Sequence, residues 1–482
     1  MHKIWILLFF SGILFSSCQK ENDPVKEGNP KEGKFEQSSK SVLLSEEEQY
    51  GLQRYLSQDF VEQIDSIVSL YNERRNFHGS MLVMEKGNVI FENQYGYYDI
   101  GQNKKIEAET PFQLASVSKP ITATAILKLK EQGKVALSDS ISCFFPELPY
   151  DATVYQLLNH TAGLPNYMWL IDNKWKKSYA PYNDDIIEMM AKEELNPHFF
   201  SGRRHAYSNT GYILLASIIE RVTGQKYGEY LENEVFEPLG MENSFVLSTA
   251  FECRSDKVAK GYRQNWRGNY SVTGGVQDGP VGDKGIYSTA RDLSKWLKAF
   301  SDNRLISEET RKKAFEPLTL RNGNNYPYGL GWRLKKDQDP SYVYHNGLWF
   351  GFRASMQWYK EKDAAIIVLN NTNNRNLNQL SSVARNRLFK ERDKSYAERV
   401  VAKMIEKPGE SLDYYIQETY NAEKTSNEDL NRELSLLKDI LEKINRDDLA
   451  HDLSEAVESW RNEGLVQQED EEEDETTIGG DL

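Results

Sequence analysis

Phe112-Gln113-Leu114-Ala115-Ser116-Val117-Ser118-Lys119 is the stretch on which the reading of this 482-residue chain turns. Ser116 and Lys119 fit Ser-x-x-Lys, and Leu127 and Leu129 support a helix running on from them. Residues three apart on a helical turn share one face, so this spacing brings the Lys119 amine beside Ser116 Oγ. A serine hydroxyl is a weak nucleophile until a neighbouring base accepts its proton. The motif alone proves little, because Ser435-Leu436-Leu437-Lys438 fits it equally well on a polar segment, where it reads as surface decoration.

Two further elements give Ser116 its context. Tyr207-Ser208-Asn209 precedes a helical stretch that begins at Gly211-Tyr212-Ile213-Leu214. A phenol of pKa near ~10 is a poor base unless a cation stabilises its phenolate, and Lys119 is the expected cation. The Asn209 amide suits holding a substrate carbonyl or orienting the lysine. Tyr-x-Asn recurs at Tyr344-His345-Asn346, inside the third element, His345-Asn346-Gly347. A glycine there lets a substrate backbone approach an edge strand closely. His345 taken alone is more often a packed or surface histidine. What lends weight is order: the three motifs occur at 116, 207 and 345, within the one segment patterned like a folded enzyme.

Around them the patterning predicts an α/β domain of the α+β type. Phe60, Ile64, Ile67 and Tyr71 recur at helical spacing over 57–74, and residues 81–85 and 89–94 flank Lys86-Gly87-Asn88 as a hairpin. Residues 352–359 and 364–369 form a second apolar pair, and helical stretches such as 120–132 and 211–222 lie between. The expected architecture is one antiparallel sheet built from both ends of the domain, flanked by helices, with an inserted helical subdomain. A domain over 45–392 is followed by a small helical appendage over 393–465, with Leu434, Leu437, Ile440, Leu441 and Ile444 in register. The tail, 466–482, carries an acidic run at 469–475 that reads as solvated and disordered.

This set of motifs resembles the serine β-lactamase and penicillin-binding-protein superfamily, in the branch of class C β-lactamases, D-aminoacyl peptidases and related esterases. Leu157-Leu158-Asn159-His160-Thr161-Ala162-Gly163-Leu164-Pro165, Gly285-Ile286-Tyr287-Ser288-Thr289-Ala290-Arg291-Asp292-Leu293 and Tyr328-Gly329-Leu330-Gly331-Trp332 stand where that branch has them. The resemblance covers about 55–392 and leaves the tail without a counterpart. It implies an acyl-enzyme on Ser116, with Lys119 and Tyr207 handling protons and Asn209, His345 and Gly347 binding substrate. It also implies an oxyanion site made by the backbone N–H groups of Ser116 and Leu348. Many β-lactamases have Lys-Thr-Gly where this chain has His345-Asn346-Gly347. A histidine mostly neutral near pH 7 tilts the expectation toward small peptide, D-amino-acid amide or ester substrates. A true β-lactamase and a cell-surface binding module that has lost turnover stay open as alternatives. No Gly-x-Ser-x-Gly elbow is present, which disfavours an α/β-hydrolase.

Composition and the chain's start bound the rest. The net charge is −14, seven of it from 469–475, and no basic cluster of the kind nucleic acid requires is present. The histidines show no His-x-His and no His-Glu-x-x-His, so neither a metal nor another cofactor is expected. Lys3, the apolar run over 4–15 and the small Ser16-Ser17 read as a signal peptide over 1–17. Cys18 follows, and the end resembles a bacterial lipoprotein signal in which that cysteine is diacylated, although Phe15 stands where leucine is usual. An ordinary signal peptide with a chance cysteine is the alternative. Residues 18–44 read as a tether, so the expected location is the bacterial cell envelope, periplasmic or surface-exposed and held to the membrane by lipid at Cys18. Cys143 and Cys253 are either paired or separate.

Overall fold

The run Ala364-Ala365-Ile366-Ile367-Val368-Leu369 lies in the middle of a six-stranded sheet, and every residue of its strand is buried. A computed structural model describes residues 41–247, 257–374, 377–389, 395–423 and 427–462. The strands are β1 (Gly79–Glu85), β2 (Asn88–Tyr95), β3 (Arg333–Lys335), β4 (Tyr342–Trp349), β5 (Phe352–Tyr359) and β6 (Ala364–Asn370). They pair antiparallel in the order β3-β4-β5-β6-β1-β2, so the two ends of the domain meet at β6–β1, with Met81 opposite Val368 and Val83 opposite Ile366. This is the expected sheet.

Side chains alternate across a strand, and here both faces are apolar because both are covered. The helices used below are α1 (Gln58–Arg75), α2 (Ser118–Glu131), α3 (Thr210–Thr223), α4 (Ala290–Ser301) and α5 (Leu377–Leu388). Met81, Val83, Ile366 and Val368 pack with Ile64 and Val68 of α1 and Leu380 and Ala384 of α5. Leu82, Met84, Ile367 and Leu369 face the other way, into the larger core shared with α2, α3 and α4. Each fully buried Val, Leu or Ile contributes about 1.5–3 kcal/mol, so these two faces hold the sheet against chain entropy. α1 ends at Asn76, whose left-handed backbone (φ 55) turns the chain into β1.

The segment between β2 and β3 is mostly helical. α2 buries nearly every side chain from Ser118 to Leu129, as an interior helix should. α3 buries ten consecutive residues from Thr210 and closes at Gly224, in the left-handed conformation that favours glycine.

The chain divides into two compact units, Leu44–Glu398 and one that comprises, among the described residues, 41–43 and 399–462. In the second unit Leu434, Leu437, Ile440 and Leu441 are buried, as their spacing predicts, Ile444 is only half-buried, and Ser435 is exposed. Val42 N–H donates to the Glu410 carbonyl at 2.7 Å, so the last residues assigned to the tether join this helical unit instead. Cys143 is exposed. The signal peptide, Cys18, Cys253 and the acidic tail lie outside the described residues.

Candidate active site

The nucleophile segment is held from both sides. Gln113 pairs with Tyr287, and Leu114 N–H donates to the Ile286 carbonyl at 2.9 Å. Ala115 then takes a left-handed backbone (φ 50), which is strained for a residue with a Cβ. A single 3₁₀ turn, Ala115–Val117, leads into α2. The first turn of α2 puts Lys119 Nζ 3.0 Å from Ser116 Oγ and 2.8 Å from the Asp283 carbonyl oxygen. Lys119 has no exposed surface. Burial drives its pKa down to about 7; the Asp283 carboxylate works against that shift and the Arg333 guanidinium with it. Near neutral pH a sizeable fraction of Lys119 therefore carries a free lone pair beside the serine proton.

Tyr207 comes from the segment that enters α3. Its ring lies 5.0 Å from Lys119 Nζ, 5.1 Å from the Arg333 guanidinium carbon and 4.3 Å from the His160 ring. Although 37% of the residue is exposed, burial around its hydroxyl raises the pKa well above the usual phenol value; a hydrogen bond with Ser116 and the Arg333 charge only partly oppose this. The charge pattern thus differs from the expected lysine cation stabilising a tyrosine phenolate. Desolvation disfavours both charged forms, leaving a neutral phenol beside an easily deprotonated amine.

β4 supplies the third wall. Gly347 passes so close to the nucleophile segment that a Cβ there would lie 2.3 Å from the Leu114 carbonyl oxygen. β3 pairs with residues 342–344 of β4, and among the described residues no strand pairs with β4 beyond Tyr344 on that side. Asn346, Gly347 and Leu348 line a cavity of about 760 Å³ together with Ser116, Tyr207 and Asn209. Leu348 is 58% exposed. The amide oxygens of Asn209 and Asn346 are buried without a hydrogen-bond partner.

His345 does not share this cavity. It has no exposed surface and lies behind the wall, its ring 6.1 Å from that of Tyr207, so it does not make the substrate contact expected of it. The reason is strand alternation: Val343, His345 and Gly347 face inward, and only glycine is small enough to leave its backbone facing the cavity. Sequence reasoning also missed Asp283, Lys284 and Arg333. Lys284 is buried on the cavity wall, with Nζ donating to Tyr167 Oη at 3.0 Å and to the Pro280 carbonyl at 2.8 Å, and lying 3.5 Å from Asp283 Oδ1. The available signal was position: Asp283-Lys284 directly precedes the Gly285 motif, and Arg333 directly follows Trp332. Among the described residues no group of three His, Cys, Asp or Glu side chains is placed to hold a metal.

A buried lysine against a serine at the head of a helix, facing a tyrosine and an open strand edge, defines a serine hydrolase of the serine–lysine type. The comparisons with known proteins agree. The Beta-lactamase family model matches residues 64–386, and the chain belongs to that family. It is 32% identical to penicillin-binding protein 4* of Bacillus subtilis over 66% of this chain and 73% of that protein. The octameric penicillin-binding protein homologue from Pyrococcus abyssi superposes with a TM-score of 0.61 at 26% identity, covering 71% of this chain and 81% of that one. D-amino acid amidase from Ochrobactrum anthropi SV3 has the same fold, with a TM-score of 0.56 at 23% identity over 69% of this chain and 98% of its own.

Proposed function

We propose that the protein is a lipid-anchored hydrolase that cleaves small peptides, D-amino-acid amides or esters through an acyl-enzyme on Ser116. The observation that carries this reading is the 3.0 Å contact between Ser116 Oγ and a lysine whose pKa is about 7. Lys119 takes the Ser116 proton as Oγ attacks the substrate carbonyl, and the N–H groups of Ser116 and Leu348 face the oxyanion that forms. As the tetrahedral intermediate collapses, the C–N or C–O bond breaks and Tyr207 protonates the leaving amine or alcohol. The Lys119 ammonium then returns a proton to Tyr207, and water releases the acyl group by the reverse route. Retention of all three groups in contact geometry favours turnover over a retired binding module.

The cavity lining refines the substrate class. Arg263, Lys284, Arg333 and Arg353 outnumber Asp283 there, which favours substrates carrying a carboxylate or another anion. A smaller cavity of about 240 Å³ on the far side of Tyr207 and Asn209, bordered by His198 and Phe199, gives room for a second substituent.

Intact-mass analysis after fluorophosphonate treatment tests the nucleophile. One adduct is expected, absent in Ser116→Ala and unchanged in Ser435→Ala; an adduct that survives Ser116→Ala sinks the assignment. A panel of p-nitrophenyl esters, D-aminoacyl p-nitroanilides and nitrocefin then ranks the substrates, with nitrocefin preferred only if the chain is a β-lactamase. For the anchor, partition into the detergent phase that is lost in Cys18→Ser is expected, since two acyl chains give stable attachment. A mature N-terminus other than Cys18 counts against it. No described helix is long and apolar enough to cross a membrane.

A further inference from the structure

We propose that Tyr328 is a positioning residue, the centre of a directed hydrogen-bond chain through His160 and His345 that sets the Tyr207 segment against strand β4. The direction follows from its two ends. Ser208 N–H donates to His160 Nδ1 at 3.1 Å, so that nitrogen is the acceptor and the ring proton sits on Nε2. His160 Nε2 is 2.9 Å from Tyr328 Oη, and therefore donates to it. At the other end His345 Nδ1 lies 2.9 Å from the Asn346 carbonyl, which can only accept. His345 thus carries its proton on Nδ1 and offers Nε2 to the Tyr328 hydroxyl, 3.3 Å away. Along this chain each group polarises the next.

The two ends are backbone groups of two catalytic motifs. Ser208 sits between Tyr207 and Asn209, and the Asn346 carbonyl precedes Gly347 and Leu348. His160, Tyr328 and His345 are all at most 1% exposed, so water cannot replace a lost partner. Reversing any link would leave a buried donor or acceptor unsatisfied. The surroundings favour the neutral form of both rings: burial foremost, then Lys119 and Arg333 for both; at His160 the neighbouring His205 and His345 add to this, and at His345 the Asn346 carbonyl opposes it. Lysine at position 345 would have three donors and no lone pair to accept from Tyr328 when charged, which accounts for a histidine in this motif. Tyr212 also packs here: its hydroxyl donates to the Leu158 carbonyl at 2.8 Å and offers the Tyr328 hydroxyl a second acceptor beside His345.

The inference rests on the acyl-enzyme reading of Ser116, which wild-type labelling by fluorophosphonate checks separately. The experiment uses the full chain and counts sites by that label, so that misfolded protein drops out. Tyr328→Phe keeps the ring and removes the hydroxyl. Its acylation rate per labelled site with a p-nitrophenyl ester should fall ~10–100-fold while KM changes by less than about threefold, as expected for displaced reacting groups. His345→Gln, whose amide oxygen can accept from Tyr328, should retain most of the rate; His345→Leu should fall as far as Tyr328→Phe, and the double variant no further. A lower melting temperature with an unchanged rate per site would make Tyr328 merely structural. Equal loss in Tyr212→Phe would likewise overturn the chain. A second reading needs no activity: ¹⁵N-histidine spectra should show His160 protonated at Nε2 and His345 at Nδ1, both neutral from about pH 6 to 8. Either ring in the other tautomer, or charged in that range, overturns the proposal.

Discussion

Lys119 Nζ, fully buried, stands 3.0 Å from the half-buried Ser116 Oγ, and the same burial that costs stability holds the amine near half-protonation at pH 7. Acylation should therefore have an acid limb near pH 7. Below it Lys119 is an ammonium without a lone pair, and the rate should fall roughly tenfold per pH unit. Fluorophosphonate inactivation rates from about pH 5 to 9 measure this; a limb at the histidine value that disappears in His345→Gln would transfer the base to His345.

Arg333 should tune that limb. Its guanidinium lowers the Lys119 pKa, so Arg333→Gln should move the limb to higher pH and slow acylation at neutrality. With anionic substrates the same change should also raise KM. An unmoved limb would mean that the charge is screened from the site.

Lys119→Met should abolish acylation and stabilise the fold at neutral pH, by about 1–3 kcal/mol. The sign follows from proton binding. Lys119 titrates near 7 when folded and at the ordinary 10.5 when free, so the unfolded chain binds more protons between those values. Wild-type stability gains from rising pH across that window, and the advantage of Met should be largest below pH 7 and vanish toward pH 10. Melting curves of both proteins across that range check it.

Gly347→Ala should be severe out of proportion to its size. The added Cβ would meet the Leu114 carbonyl at 2.3 Å, a backbone atom that cannot step aside, so β4 must move off the nucleophile segment. A loss of ~10² in acylation is expected. Gly101→Ala, where the nearest atom would be 3.5 Å away, should be silent by the same assay.

Leu348→Pro removes the backbone N–H assigned to the oxyanion. Once thermal unfolding shows the variant folded, acylation should fall ~10²–10³-fold. A folded variant that acylates at near wild-type rate would mean that Leu348 is not an oxyanion donor.

Much of this was readable from one chain because the decisive signals are local. Ser116 and Lys119 meet within a single helical turn, and the β1–β2 and β5–β6 hairpins each declare themselves in short apolar runs with polar turns. What sequence could not give was which side of β4 faces the cavity. Alternation assigns His345 and Asn346 to opposite faces, but only the packed fold shows that His345 points toward Tyr328 and away from substrate. Arg333 and Lys284 were hidden for the related reason that a charged residue near a motif reads as surface until the cavity it lines is seen. The tether was misjudged at its end, because Val42 gains its burial from a partner segment near residue 410.

The pairing of β1 with β6 also sets a timetable for the chain. His78 N–H donates to Asn370 Oδ1 across 292 positions, at the seam where the sheet closes. During synthesis the β1–β2 hairpin emerges early, apolar on both faces and with one edge vacant, and waits for almost the whole catalytic unit before its neighbour arrives. Such long-range pairing is slow, and an unfilled apolar edge is a template for association with other chains. Ribosome-bound chains truncated before residue 364 should accordingly be captured by chaperones at residues 79–95, and that capture should end once β6 is free to dock.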